Sequence, residues 1–255
     1  MSEHIKAEKA EGVLTLVLAR PEKKNALTDA MYKALADALE AADADRDIRV
    51  ILLMAEGDMF TAGNDIGEFA AANAGRDGRG NVLRFLRAIS QAAKPVVAAV
   101  QGRAVGVGTT MLLHCDQVVL ADDALLTTPF VGLALVPEAA SSLLLPARIG
   151  HARAFSMFAL GEPLNAQDAL AWGFANKVVA RAELAAAGRA LALRLAKQPL
   201  EAVMATKRLM RDSELIWRRI EEERVEFGRR LASPEAAEAF AAFSERRAPD
   251  FTKFA

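Results

Sequence analysis

Two short segments bring together residues that could hold a developing negative charge. They are Thr61-Ala62-Gly63-Asn64-Asp65 and Gly102-Arg103-Ala104-Val105-Gly106-Val107-Gly108-Thr109. Each puts small side chains after an apolar run and ahead of helix-like sequence. Small residues let a ligand approach backbone N–H groups, and a helix start adds unpaired donors and a positive dipole end. Such donors suit a phosphate, or an oxygen that becomes anionic during a reaction. Each loop also has a plainer reading: glycines packed tightly against a helix, Asp65 as a first-turn acid, Asn64 satisfying its own turn. The glycine spacing matches neither G-x-G-x-x-G nor a phosphate loop ending in Gly-Lys-Ser/Thr. Further along, Glu138 follows Pro137 and opens an apolar stretch. A carboxylate there is either a proton-transfer group or a first-turn acid that complements the helix dipole.

Other reactive residue types are poorly arranged for chemistry. His4, His114 and His151 have no metal-ligand spacing, and the single cysteine, Cys115, sits in an apolar context that suits a core residue. His114 reads as a packed histidine. No HExxH, CxxC or GxSxG occurs. Arg218–Arg230 mixes both charge signs at helical spacing and reads as a salt-bridged, solvated helix face.

The elements that must position these loops follow from pattern. Val13–Leu18, Arg49–Ala55, Pro95–Val100 and Gln117–Ala121 read as buried strands. Thr28 caps a helix reaching about Ala44, with Met31, Leu35 and Leu39 on one face. A short helix is expected near Ile66–Ala72, then a linker-like loop at Asn73–Gly80, then a helix that aligns Val82, Phe85, Leu86 and Ile89. Thr109–His114 reads as a helix start. From Glu138 onward the pattern is helical apart from Asn176–Val179. Strands and helices alternate first and helices dominate later, so the fold class is α/β with a helical C-terminal portion.

Composition narrows the field. The chain has 255 residues, 53% of them hydrophobic, with 32 Lys+Arg against 33 Asp+Glu. A net charge of −1 leaves no basic excess for a nucleic-acid backbone. One cysteine allows no intrachain disulfide and suits a reducing compartment. The charged start is no signal peptide, no apolar run reaches membrane-spanning length, and the C-terminus is not a peroxisomal signal. A cytoplasmic location is the expectation.

In combination the two loops resemble the crotonase superfamily, also called the enoyl-CoA hydratase/isomerase family. The matching segments are RPEKKNALT (Arg20–Thr28), FTAGNDI (Phe60–Ile66), AAVQGRAVGVG (Ala98–Gly108), CDQVVLADDA (Cys115–Ala124), LNAQDALAWGFANKVV (Leu164–Val179) and FSERRAPDF (Phe243–Phe251). They span essentially the whole chain in order. The resemblance implies a spiral of ββα units over residues 1–195 and a helical trimerisation region over 196–255. It implies an acyl-CoA substrate in fatty-acid metabolism, a homotrimer or dimer of trimers, no membrane or nucleic-acid partner, no metal, and no cofactor beyond the CoA of the substrate. The N–H groups of Ala62 and Val107 would form the oxyanion hole. Lys24, Asn25 and Ala26 would lie along CoA, and Phe243 and Arg246 would meet its nucleotide end. Gly63, Asn64, Asp65, Ile66, Gly106 and Phe130 would complete the substrate site.

The carboxylate count then selects a reaction. Hydratases of this family use two glutamates, and their positions here are Thr110 and Phe130. Neither ionises usefully, so hydration lacks its usual groups. Glu138 instead resembles the single glutamate of Δ3,Δ2-enoyl-CoA isomerases. The resulting expectation is an isomerase, with a hydratase, another enolate-forming enzyme or a non-catalytic acyl-CoA binder as alternatives.

Overall fold

The computed structural model describes residues 2–65, 67–68 and 80–254. The helix expected near Ile66–Ala72 and the loop expected at Asn73–Gly80 lie largely outside the described residues, as does Ile66 itself.

A six-stranded sheet runs β1-β2-β3-β4-β6-β9 across the molecule. Its strands are β1 (Ile5–Ala10), β2 (Val13–Leu18), β3 (Val50–Ala55), β4 (Val96–Val100), β6 (Gln117–Ala121) and β9 (Lys177–Val179). All neighbours pair in parallel except β1 with β2. The central strands are apolar throughout because both sheet faces are covered. Ile51, Leu53, Ala98, Val100, Val118 and Leu120 point into one core, while Val50, Leu52, Val97, Ala99 and Val119 point into another. That alternation is the two-residue strand period.

Helices α1 (Asp29–Ala44) and α2 (Asn81–Gln91) contribute to the first core, and α7 (Leu184–Ala196) to the second. Thr28 caps α1 as expected, its hydroxyl accepting the Met31 N–H at 3.2 Å. Strand β1 escapes the pattern-based reading because only its first residue, Ile5, is buried. As an edge strand it carries charge where a central strand carries valine.

A second sheet, β5-β7-β8, comprises β5 (Arg103–Val105), β7 (Leu125–Thr127) and β8 (Leu164–Asn165). Between its strands lie α3 (Val107–Thr110), α4 (Ser141–Ile149) and α5 (His151–Phe155). The chain continues through α6 (Ala166–Ala171) and, after α7, ends in α8 (Leu200–Met210), α9 (Ser213–Leu231) and α10 (Pro234–Ser244). Helix α3 starts two residues earlier than the Thr109 start expected from pattern, directly after Gly106. Among the described residues no helix is long and apolar enough to cross a membrane.

Candidate active site

Strands β3 and β4 are parallel neighbours, so the loops leaving their C-terminal ends emerge side by side. The two loops are then tied together. Phe60 N–H donates to Gln101 O at 2.9 Å, Thr61 N–H to Arg103 O at 3.2 Å, and Val105 N–H to Thr61 O at 3.1 Å. Glycine permits this approach: a Cβ on Gly108 would lie 2.3 Å from Thr61 Cγ2. Gly106, with φ 55° and ψ −118°, turns the chain from β5 into α3 through backbone space that side chains avoid.

The Arg20–Thr28 segment braces the first loop. Asn25 is fully buried, and its amide accepts from Arg20 N–H at 2.8 Å and donates to Glu56 O and Met59 O at 2.8 and 2.9 Å. Its carbonyl takes the Thr61 hydroxyl at 2.7 Å. The Asn25 side chain is therefore committed to scaffolding and cannot lie along a ligand as expected. Ala26 is partly buried, its carbonyl held by Arg20 Nη1 at 3.1 Å. Asp65 accepts from Arg20 at 2.8 Å and from Gly67 and Glu68 N–H groups at 3.1 and 3.3 Å. The Arg20 guanidinium holds its carboxyl below the usual range. Asp65 thus acts as an ionised turn cap.

The assignment of an oxyanion donor to Ala62 does not survive this bracing. The Ala62 N–H donates to Lys24 O at 2.9 Å, and the Gly63 N–H to Thr61 Oγ1 at 3.0 Å. Leu27 flanks the next residue, donating to Gly63 O and accepting from Asp65 N–H, which leaves the Asn64 N–H without an acceptor among the described residues. In the second loop Gly106 N–H is bound to Thr127 O, whereas Val107, first residue of α3, has an N–H with no acceptor among the described residues. The available donors are Asn64 and Val107.

Asn64 and Glu138 line one cavity of about 220 Å³ with Val82, Leu83 and Leu86 of α2 and Ile220, Phe227 and Leu231 of α9. A larger groove of about 370 Å³ lies near Pro95 and Asp116, at the opposite ends of these strands, away from both loops. The first cavity has the apolar walls and few convergent polar groups of a small-molecule site.

Glu138 does not sit in the first turn of a helix, as the pattern suggested. It precedes α4, and the two residues between, Ala139 and Ala140, have left-handed backbone at φ 60° and 55°. Such backbone costs an alanine roughly 1 kcal/mol or more. The dipole-complementing role belongs to Glu223 of α9, which accepts Ala140 and Ser142 N–H groups at 2.6 and 2.9 Å. Burial pushes the Glu138 carboxyl up to about 7; the Thr110 hydroxyl, donating to Oε1, opposes this and the charge of Glu223 adds to it. Thr110 is thus a hydrogen-bond donor to the Glu138 carboxylate.

Phe130 is buried against Phe158, ring centroids 6.2 Å apart, and backs Gly106 without lining the cavity. Lys24 is exposed and its ammonium group has no partner among the described residues. Phe243 and Arg246 are exposed at the end of α10, and neither lines the cavity. Cys115 is buried, its thiol pushed up to about 12. Among the described residues no cluster of His, Cys, Asp and Glu could hold a metal ion.

Three participants escape the motif-based analysis. Tyr32 donates its hydroxyl to Asn64 Oδ1 at 2.5 Å from the buried face of α1. His114 bonds the carbonyl of Ala139 at 2.8 Å. Glu223 is buried, so Arg218–Arg230 is not simply solvated: pairs such as Arg229–Glu226 line its outer face while Ile216, Ile220 and Glu223 turn inward. A carboxylate interrupting the apolar stripe Ile216-Ile220-Phe227 was the available signal.

Comparison with known proteins bears on the family and the fold. The family model described as enoyl-CoA hydratase/isomerase matches residues 8–253. The chain is 34% identical to 1,2-epoxyphenylacetyl-CoA isomerase of Escherichia coli K12, covering 99% of both chains. It is also 34% identical to enoyl-CoA delta isomerase 2 of Rattus norvegicus, over 80% of this chain and 53% of that one. A Pseudoalteromonas atlantica enoyl-CoA hydratase/isomerase structure superposes with a TM-score of 0.93 at 43% identity, covering 98% of this chain and 100% of the other. Pseudomonas aeruginosa OdaA does so with a TM-score of 0.90 at 45% identity, covering 95% and 99%. The spiral α/β fold, the paired loops and these matches make the chain a member of the enoyl-CoA hydratase/isomerase family, within the crotonase superfamily.

Proposed function

We propose that this enzyme isomerises 3-enoyl-CoA to trans-2-enoyl-CoA, with Glu138 as its single acid/base. The observation that carries the reading is one carboxylate of raised affinity for protons facing an apolar cavity; the family resemblance supports it by putting Thr110 and Phe130 at the hydratase-acid positions. Glu138 removes a proton from C2. The electron pair delocalises through C3=C4 and the carbonyl to give a dienolate, whose oxygen the Asn64 and Val107 N–H groups stabilise. One such donor is worth about 3–4 kcal/mol where it has been deleted in other enzymes. Glu138 then returns the proton to C4, leaving the double bond between C2 and C3. No water enters the balance, and the apolar walls discourage one from doing so.

Binding follows the same economy. Lys24 and Arg246 are proposed to meet CoA phosphates, with Phe243 near its nucleotide end and Ala26 along the chain. A trimer, or a dimer of trimers, is the proposed assembly. Relatives named as a probable enoyl-CoA hydratase and as an epoxyphenylacetyl-CoA isomerase keep neighbouring enolate chemistry as the second reading. Separate incubations with 3-enoyl-CoA and trans-2-enoyl-CoA distinguish them by product. The isomerase converts the first and adds no hydroxyl to the second. Accumulation of 3-hydroxyacyl-CoA from the second, with the first untouched, contradicts the proposal.

A further inference from the structure

The turn that carries Glu138 is held from two sides by residues distant in sequence. On one side, His114 Nδ1 accepts from Arg211 Nη2 at 2.6 Å, which leaves the ring proton on Nε2 to donate to Ala139 O at 2.8 Å. Burial and the Arg211 charge keep this imidazole neutral, lowering it to about 3. On the other side, the buried Glu223 carboxylate takes the N–H groups of Ala140 and Ser142. Between these clamps lie the two left-handed alanines that follow Glu138.

We propose that Glu223 is a positioning residue for Glu138: clamped on Ala140 and Ser142, it fixes the turn that presents Glu138 to the cavity. The inference rests on Glu138 as acid/base. Glu138 is faced by Thr110 of α3, by the Tyr32 hydroxyl of α1, and by Glu223 and Arg224 of α9, the last paired with Glu221. Glu223 faces Ser142 of α4 and Arg219 of its own helix. Behind the turn stand neutral His114 with Arg211 and Arg148. The only carboxylate charge acting on Glu138 among the described residues is that of Glu223. Glu223 also sits above the usual carboxylate range, at about 7, chiefly through burial. The two acids therefore ionise in the same pH interval and oppose one another.

Glu223→Gln keeps the side-chain shape, removes the charge and can accept only one of the two N–H groups. Misplacing the turn should lower kcat on 3-enoyl-CoA by about ten- to a hundredfold while KM changes much less. The acidic limb of kcat/KM should move to lower pH by about half a unit, because a like charge no longer opposes ionisation of Glu138. A cap with a merely structural role would cost rate or stability and leave that limb in place; an unmoved limb overturns the proposal. Should Glu223→Gln fail to fold, ¹³C NMR of the glutamate carboxyls in the wild-type protein and Glu138→Gln gives the reciprocal reading. Coupling is mutual, so the Glu223 midpoint must fall when residue 138 is neutral. An equal midpoint in both proteins overturns the proposal. Full turnover by Glu138→Gln removes the acid/base reading itself, whereas an inactive Glu138→Gln with an unmoved Glu223 midpoint removes only the coupling.

Discussion

Thr110 donates its hydroxyl hydrogen to Oε1 of Glu138, joining the last residue of α3 to the carboxylate that precedes α4. The bond orients one oxygen of Glu138 and favours its ionised form, against a burial that favours the neutral one. Burial prevails, and the carboxyl rises to about 7. A base of that strength is half ionised near neutrality, where it can both take and return a proton.

The pH dependence follows with a definite sign. Activity as kcat/KM should rise with pH as Glu138 ionises, with a midpoint near 7. Thr110→Val keeps the volume but removes the donor, so the carboxylate loses stabilisation and the midpoint moves upward. Rates of this variant should be depressed at pH 7 and recover toward wild type above pH 8. A downward movement, or none, contradicts the role given to Thr110.

Stability carries the same signature. Glu138 in the folded protein holds its proton up to about 7, against a usual value of 4.5. Between those values the native state keeps a proton that the unfolded chain has released, so stability falls as pH rises and the deficit is complete above about 7. Glu138→Gln removes this deficit and should be more stable than wild type at pH 8 by about 1–3 kcal/mol, and equal to it near pH 4. Thermal melts at the two pH values measure the difference.

Gly108 and Thr61 form a steric pair between the loops. With its Cβ 2.3 Å from Thr61 Cγ2, Gly108→Ala must push the loops apart. The expected cost is about 1–3 kcal/mol of stability together with a larger loss of turnover. Thr61→Ser deletes the obstructing methyl yet keeps the hydroxyl that binds Asn25 O and Gly63 N–H. Added to Gly108→Ala, it should restore much of both properties, which a double-mutant cycle quantifies. Additive losses would show that the two residues do not meet.

Parts of this site were legible in the sequence because they are local. The central strands declare themselves through apolar runs, α1 through Thr28, and the paired loops through small residues behind strands. Glu138 stands out as an acid in an apolar context. What was not legible depends on distant contacts. Which N–H in Thr61–Asp65 stays uncommitted among the described residues is decided by Lys24 O and Leu27, and this leaves Asn64 rather than Ala62 as the candidate donor. Glu223 looks like one charge among many until α9 folds onto α4. Asn25, in a segment expected along CoA, proves to be a brace because three backbone groups converge on its amide.

The central claim is that one carboxylate moves the proton in both directions. Its most direct test is the turnover of 3-enoyl-CoA by Glu138→Gln at pH 8, with binding of a non-reactive acyl-CoA measured in parallel by calorimetry. Loss of the only acid/base should reduce kcat by about 10²–10⁴-fold. Affinity should stay within about twofold of wild type, because the proposed binding groups remain in place. Turnover within a few-fold of wild type would contradict it.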